Sequence, residues 1–184
     1  MGKAKEPPPV KLVVSVFTRD ETMLAVARGA LVRLFGALDY HSELLPFDNT
    51  SYYEREFGPN LVREILSFAT LIAPQRLAEM KRATNELEKT WFVDRKRLVN
   101  LDPGYVSMSK LVLATTKDYS HRLYLGEGIY AEVTLKYEHG SFRAWEWTYP
   151  DYGSARYRAI FAEIRRLYAE QLRRIETDLP PLVR

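Results

Sequence analysis

The chain has 184 residues, 46% hydrophobic and 28% charged, the profile of one ordinary globular domain rather than a disordered tail or a fibre. Cysteine is absent, which excludes disulfides, thiol catalysis and zinc–thiolate sites together and fits a reducing cytoplasm. The net charge of +3 permits an anionic partner but falls short of the clustered excess of an electrostatic nucleic-acid binder.

The start, MGKAKEPPPVK, is basic but is not followed by the h-region of a signal peptide, so no secretion signal is expected. No run approaches the roughly 20 apolar residues that span a bilayer, so no membrane partner is expected. Residues 1–9 read as a flexible lead-in stiffened by three prolines. VKLVVSVF (10–17) is a β-branched, largely continuous apolar run, as expected of a strand buried on both faces. Thr18 to Glu21 fits a capping box, and Leu24, Ala27, Leu31, Leu34 and Phe35 recur at helical spacing before Gly36. A strand is expected within 38–47, then a polar and aromatic loop with a helical turn over 48–58. Residues 61–71 favour strand, with helix as the alternative. Pro74 suits the first position of a helix over 74–92, with Leu77, Thr84, Leu87 and Trp91 inward. A strand over 96–101 is stopped by the turn residues Asp102-Pro103-Gly104. The order through residue 102 is β-α-β-β-α-β, a ferredoxin-like arrangement.

In the second part, Met108, Leu111, Val112 and Thr115 fit a short helix capped by Ser107, with a strand over KLVLAT as the alternative. Two hairpins follow. A three-residue loop at 126–128 places Leu125 opposite Ile129, Leu123 opposite Ala131, Tyr124 opposite Tyr130 and Arg122 opposite Glu132, with the leucines on a core face. His139-Gly140 as a turn places Trp145 opposite Thr134 and Trp147 opposite Glu132. Ser154 caps a long helix with an apolar stripe from Tyr157 to Ile175 and arginines outside. The expected fold is α+β: a ferredoxin-like core over 10–102, extended by helix, hairpins and a C-terminal helix over 103–176 with a tail to 184, in a single domain.

Lys117, Asp118, Tyr119, Ser120, His121 and Arg122 crowd the entry to the first hairpin. Beside them the register lays out a floor of Arg122, Glu132, Tyr124, Tyr130, Trp145, Trp147 and Tyr149. A pocket needs this mixture of flat walls and convergent polar groups. Lys117 and Arg122 are candidate anion ligands, the aromatics candidate stacking surfaces, and Asp118, His121 and Glu132 candidate proton-transfer groups. Asp102 or Tyr105 is expected to contribute from the adjacent turn. Alternation parity puts His121 opposite Val133, on the apolar side. The structural alternatives are an ordinary cross-strand pair for Arg122 and Glu132, and a hydrogen-bonded core histidine for His121. No metal site or cofactor is assigned from the residues.

The chain also resembles a prokaryotic family, the domain of unknown function 4416, through FDNTSYYEREFG (47–58), NELE (85–88), NLDPGY (100–105), KLVLATTKDYSHRLYLGEGIYAEVTL (110–135) and WTYPDY (147–152). The resemblance covers Pro9 to about Leu172 and implies no activity. It adds Asp48, Tyr52, Tyr53, Glu56, Asn85, Glu86, Lys110 and Asp151 to the residues of interest, with Lys110 among the candidate ligand contacts. Two functions fit. One is binding, or enzymatic processing, of an anionic, phosphorylated or nucleotide-like small molecule. The other is non-catalytic binding of single-stranded RNA through the sheet aromatics.

Overall fold

The computed structural model describes residues 2–48, 53–94 and 96–178. Val10–Thr18 forms β1, and all nine of its residues are buried. Asp20 caps helix α1 (Glu21–Phe35), its carboxylate accepting the Thr22 N–H at 2.9 Å. The expected cap, Thr18, instead ends β1 and donates its hydroxyl to the Leu98 carbonyl. The strand expected over 38–47 divides into β2 (Leu38–His41) and β3 (Leu45–Pro46). The chain kinks between them because Ser42 bonds Ile65 through both its N–H and its hydroxyl. A short helix, α2 (Glu54–Phe57), follows, and Val62–Ile72 is a strand, β4. Tyr52 and residues 179–184 of the tail lie outside the described residues.

Pro74–Arg76 makes one tight turn that leads into α3 (Leu77–Lys89). The strand expected over 96–101 is different. A small hairpin of β5 (Phe92–Val93) and β6 (Lys96–Arg97) precedes β7 (Asn100–Val106). Asp102-Pro103-Gly104 is therefore no turn but the middle of a strand. Pro103 is tolerated because β7 pairs with the next strand only from Gly104 onward, so no neighbour on that side needs its missing N–H. The helix expected over 107–116 is also a strand, β8 (Lys110–Thr115), with Leu111 to Ala114 all buried. Being interior to the sheet, it carries a continuous apolar run, which mimics helical spacing over so short a stretch.

The first hairpin joins β9 (Leu123–Gly126) to β10 (Ile129–Glu138). Leu123 pairs with Ala131 and Tyr124 with Tyr130, as the register required. The loop is shorter than expected: Gly126 pairs with Ile129 around Glu127 (φ 54°) and Gly128 (φ 77°), and a bulge at Leu125 restores the register. The leucines do not make a core face. Leu123 is 73% exposed because β9 is an edge strand, and a second bulge between Val133 and Leu135 turns Leu135 to the opposite side. β11 (Ser141–Ala144) pairs around His139-Gly140 as expected, but the pairing ends at Leu135–Ala144. The Trp145 N–H then donates to the Thr148 hydroxyl at 2.7 Å, so the chain turns before Trp145 or Trp147 can join the ladder. Two helices close the fold, α4 (Pro150–Gly153) and α5 (Ala155–Asp178).

The protein is α+β, built on a largely antiparallel sheet. The strand order is β11-β10-β8-β7-β1-β4-β2, with β3 beside β4 and β9 beside β10. On one face Leu12, Val14 and Val16 pack against Leu24, Ala27 and Leu31 of α1 and Met80 of α3. On the other, Val13, Ile65 and Leu111 pack against Ile160, Phe161 and Ile164 of α5. The apolar stripe of α5 ends at Tyr168, and Ile175 is exposed. Among the described residues no helix is long and apolar enough to cross a membrane.

Gly104 fixes the point where β7 and β8 meet. A Cβ there would lie 2.3 Å from the Val112 carbonyl oxygen and 2.6 Å from Leu113 Cδ2, while Gly153 has room at 3.5 Å. Gly104→Ala is expected to cost about 3 kcal/mol, roughly 6–12 °C in melting temperature for a chain of this size. Gly153→Ala is expected to stay near wild type, and calorimetry of the two variants checks the difference.

Candidate functional site

β7 and β8 diverge ahead of Gly104, and the outer edge of β7 then has no strand beside it among the described residues. Two side chains of α3 take the place of one. The buried Lys81 ammonium donates to the Leu101 carbonyl at 2.8 Å, and the buried Glu88 carboxylate accepts the Leu101 N–H at 2.6 Å. Lys81 also reaches Asp102 Oδ1 at 3.0 Å. From there a polar chain continues outward: Asn100 Nδ2 donates to Asp102 Oδ2, and Arg97 donates to Asn100 Oδ1, Glu88 Oε2 and both oxygens of Glu56. Burial pushes the Glu88 carboxyl up, outweighing the pull of Lys81 and the Leu101 N–H. The bidentate Arg97 contact holds the Glu56 carboxyl below the usual range, with Lys117 adding to the effect.

A second cluster lies at the same end of the sheet, on β10. Glu132 is 3% exposed. Its Oε2 accepts Arg122 Nε at 2.9 Å and lies 3.2 Å from His121 Nε2, and its Oε1 accepts the Thr134 hydroxyl. Arg122 also donates to the Lys117 carbonyl at 2.9 Å and to the Tyr149 hydroxyl at 3.2 Å, joining three segments. Burial works against the Arg122 charge, but Glu132 and Tyr149 outweigh it and raise its pKa. The His121 ring stacks on Trp147 (5.3 Å, 12°), which stacks on Trp145 (5.0 Å, 8°), and Tyr119 meets His121 edge-on. Trp147 is pinned by its Nε1–H, which donates to the Val133 carbonyl. Tyr119, Ser120, His121, Glu146 and Trp147 line an open cleft of about 490 Å³.

A third cluster supports the other two. Arg63 forms a buried ion pair with Asp151 and lies 3.7 Å from the centre of the Phe47 ring. Tyr53 packs on Phe17, Phe47 and Phe57. Burial first, then the charge of Asp102 and the neighbouring Tyr149, push the Tyr53 phenol up, so it stays protonated between the first two clusters.

Several expected residues meet here, and several do not. Glu132, His121, Arg122, Trp147 and Tyr149 come together, with Lys117 exposed at the loop that Arg122 holds. His121 is on the polar side with Glu132, contrary to the parity argument, because the Arg122 N–H closes a turn onto the Tyr119 carbonyl and alternation does not extend past Leu123. Asp102 belongs to the β7 edge network rather than to the cleft. Asp118 is exposed and makes no ion pair or hydrogen bond among the described residues. Tyr105 packs on the opposite face with α3, and Lys110 begins β8, at the far end from Thr115; neither reaches the cleft. Tyr124 is 62% exposed and lies 5.2 Å from Tyr130, further along the edge.

Lys81, Glu88, Asn100, Arg97 and Arg63 were not anticipated. Lys81 and Glu88 stand seven apart, two helical turns, on the buried side of α3, and a charged pair at that spacing inside an apolar stripe is the signal that would have found them. Within NELE, Glu88 is the buried member, while Glu86 pairs with Lys89 in solvent.

With this geometry in view, the comparison with known families is specific. The family model of a domain of unknown function, DUF4416, matches residues 8–168, and the chain belongs to that family. No curated protein and no solved structure matches it. The five sequence segments that carry the family resemblance supply Phe47, Tyr53, Glu56, Glu88, Asn100, Asp102, His121, Arg122, Glu132, Trp147, Tyr149 and Asp151, which together make up most of the three clusters.

Removing one member of the buried α3 pair strands the other. Lys81→Met or Glu88→Leu alone is expected to cost about 3–5 kcal/mol, and the double variant less than the sum of the two. A double-mutant cycle in denaturant measures the coupling. The phenols of Tyr40, Tyr53, Tyr105, Tyr152, Tyr157 and Tyr168 are all raised, chiefly by burial. Above the ordinary phenol range the unfolded chain binds fewer protons than the folded one, so stability falls as pH rises. The phenolate absorbance of the buried Tyr152, Tyr157 and Tyr168 is expected to appear only together with alkaline loss of the circular dichroism signal.

Proposed function

We propose that the chain binds, and acts by proton transfer on, an anionic nucleotide-like small molecule in the cleft beside His121. One observation carries this reading: a buried carboxylate, Glu132, holds one nitrogen of an imidazole whose ring walls an open cleft. A carboxylate in that position fixes the tautomer and orientation of the ring and leaves the second nitrogen to exchange a proton with a ligand. His121 is the proton-transfer residue, Glu132 orients it, and Trp147, Tyr149 and Tyr119 offer flat surfaces. Lys117 meets the anion. Arg122 uses three of its five N–H donors internally, so it serves first as the post on which loop and sheet are fixed.

The scaffold under the site reads as a ferredoxin-like core. The order β7-β1-β4-β2, antiparallel throughout, with α1 and α3 on one face, supports that reading. A cysteine-free chain suits a reducing cytoplasm. The exposed rings of Tyr119, Tyr124 and Tyr149 favour a second reading, stacking of single-stranded RNA. Salt separates the two, because several phosphate contacts weaken steeply with ionic strength and a pocket ligand responds less.

A thermal-shift screen of nucleotides and phosphorylated metabolites tests the first reading. At a ligand concentration of 100 Kd the stabilisation is about 2.7 kcal/mol, or some 5–11 °C. Lys117→Ala is expected to keep its fold and lose most of that shift. His121→Asn is expected to keep the shift and to lower any turnover by about 10²–10⁴. Arg122→Ala is expected to lower the melting temperature by itself, because it leaves Glu132 buried without its cation. Absence of any shift across the screen would exclude the reading.

A further inference from the structure

Glu146 shares the cleft wall with His121 and Trp147, yet it takes no part in the clusters described above. It stands between the two stacked tryptophans, in a turn fixed at three points. The Trp145 N–H donates to the Thr148 hydroxyl at 2.7 Å, that hydroxyl donates to the Thr134 carbonyl at 2.6 Å, and the Thr148 N–H returns to the Trp145 carbonyl at 3.2 Å. These bonds fix the turn that carries Glu146 between the two tryptophans. Its side chain is exposed and makes no ion pair or hydrogen bond among the described residues. A carboxylate on a rigid turn beside flat rings is an acceptor-only group with both oxygens available.

We propose that Glu146 selects the base of the nucleotide, taking a ring edge with two adjacent N–H donors, as guanine presents. This rests on the reading of the cleft as a nucleotide site. Two parallel N–H groups match the two oxygens of a carboxylate in a bidentate contact. Adenine and cytosine each offer one amino donor beside a ring acceptor, which satisfies one oxygen and faces the other with a lone pair. Uracil flanks its single N–H with two carbonyls, and both oppose a carboxylate. The order expected is guanine first, adenine and cytosine next, uracil last. The same charge sets the direction of the ligand: the phosphate is repelled from Glu146 and lies toward Lys117, whose carbonyl Arg122 holds at 2.9 Å.

Titration calorimetry of the full chain with GMP, AMP, CMP and UMP at fixed salt provides the test. GMP is expected to bind at least tenfold more tightly than UMP, and Glu146→Gln to reduce that ratio at least tenfold while leaving the melting temperature of the free protein unchanged. Equal binding of all four nucleotides, or a preference that survives Glu146→Gln, would overturn the role of Glu146 and leave the cleft as a nucleotide site. No binding of any nucleotide would overturn both.

Discussion

The architecture depends on how one strand edge is satisfied where its neighbour leaves. β8 can lie against β7 only at Gly104 and beyond, because residue 104 has no side chain to hold the two backbones apart. Ahead of that point the polar groups of Leu101 face protein rather than another strand, and an unpaired buried amide is costly. Lys81 and Glu88 answer it with one donor and one acceptor from a single helix. Placing two charges there brings in the rest. Glu88 requires Arg97, Arg97 requires Glu56, and Lys81 leans on Asp102. The polar end of the molecule is thus built outward from a missing strand.

How much of this was legible in the sequence follows from what each signal measures. The β1 run, most of the α1 and α5 stripes and the β4 strand could be read because burial dictates their patterns, although Leu34 and Ile175, expected in those stripes, are exposed. The register of the first hairpin was also legible from its pairing of side chains, even though its loop length was not, since a bulge at Leu125 absorbs one residue without changing the faces further on. Asp102-Pro103-Gly104 misled because proline and glycine have two uses in sheets. They mark turns, and they mark places where a strand lacks a partner or accepts one at very short range. KLVLAT misled because six residues of a doubly buried strand carry no periodicity. The clusters were half legible. His121, Arg122 and Glu132 were named from crowding and register, whereas the α3 pair belongs to an element 40 residues away and announces itself only once the sheet is assembled.

The three clusters differ in kind. Around Leu101 every charged group has an opposite partner, with Arg97 shared between Glu56 and Glu88. Around Arg63 the charge pair is enclosed by Phe17, Phe47, Tyr152 and Tyr157, a rigid floor beneath Tyr53. At Glu132 the matching is complete below and open above: the carboxylate is fully engaged, while the His121 ring is left at the cleft. A buried and fully paired carboxylate thus lies beneath a ring that reaches the cleft wall.

The tryptophan stack has an optical consequence. The chain holds three tryptophans, and two of them, Trp145 and Trp147, lie 5.0 Å apart with planes only 8° from parallel. Transition dipoles this close couple, so their ultraviolet bands belong to the pair rather than to either ring. The same pair touches His121 on one side and carries Lys136 over Trp145 on the other. Any ligand that enters the cleft, or any proton that His121 gains, changes the surroundings of this chromophore. The molecule therefore carries its own spectroscopic gauge at the cleft wall, and occupancy can be followed without attaching a label.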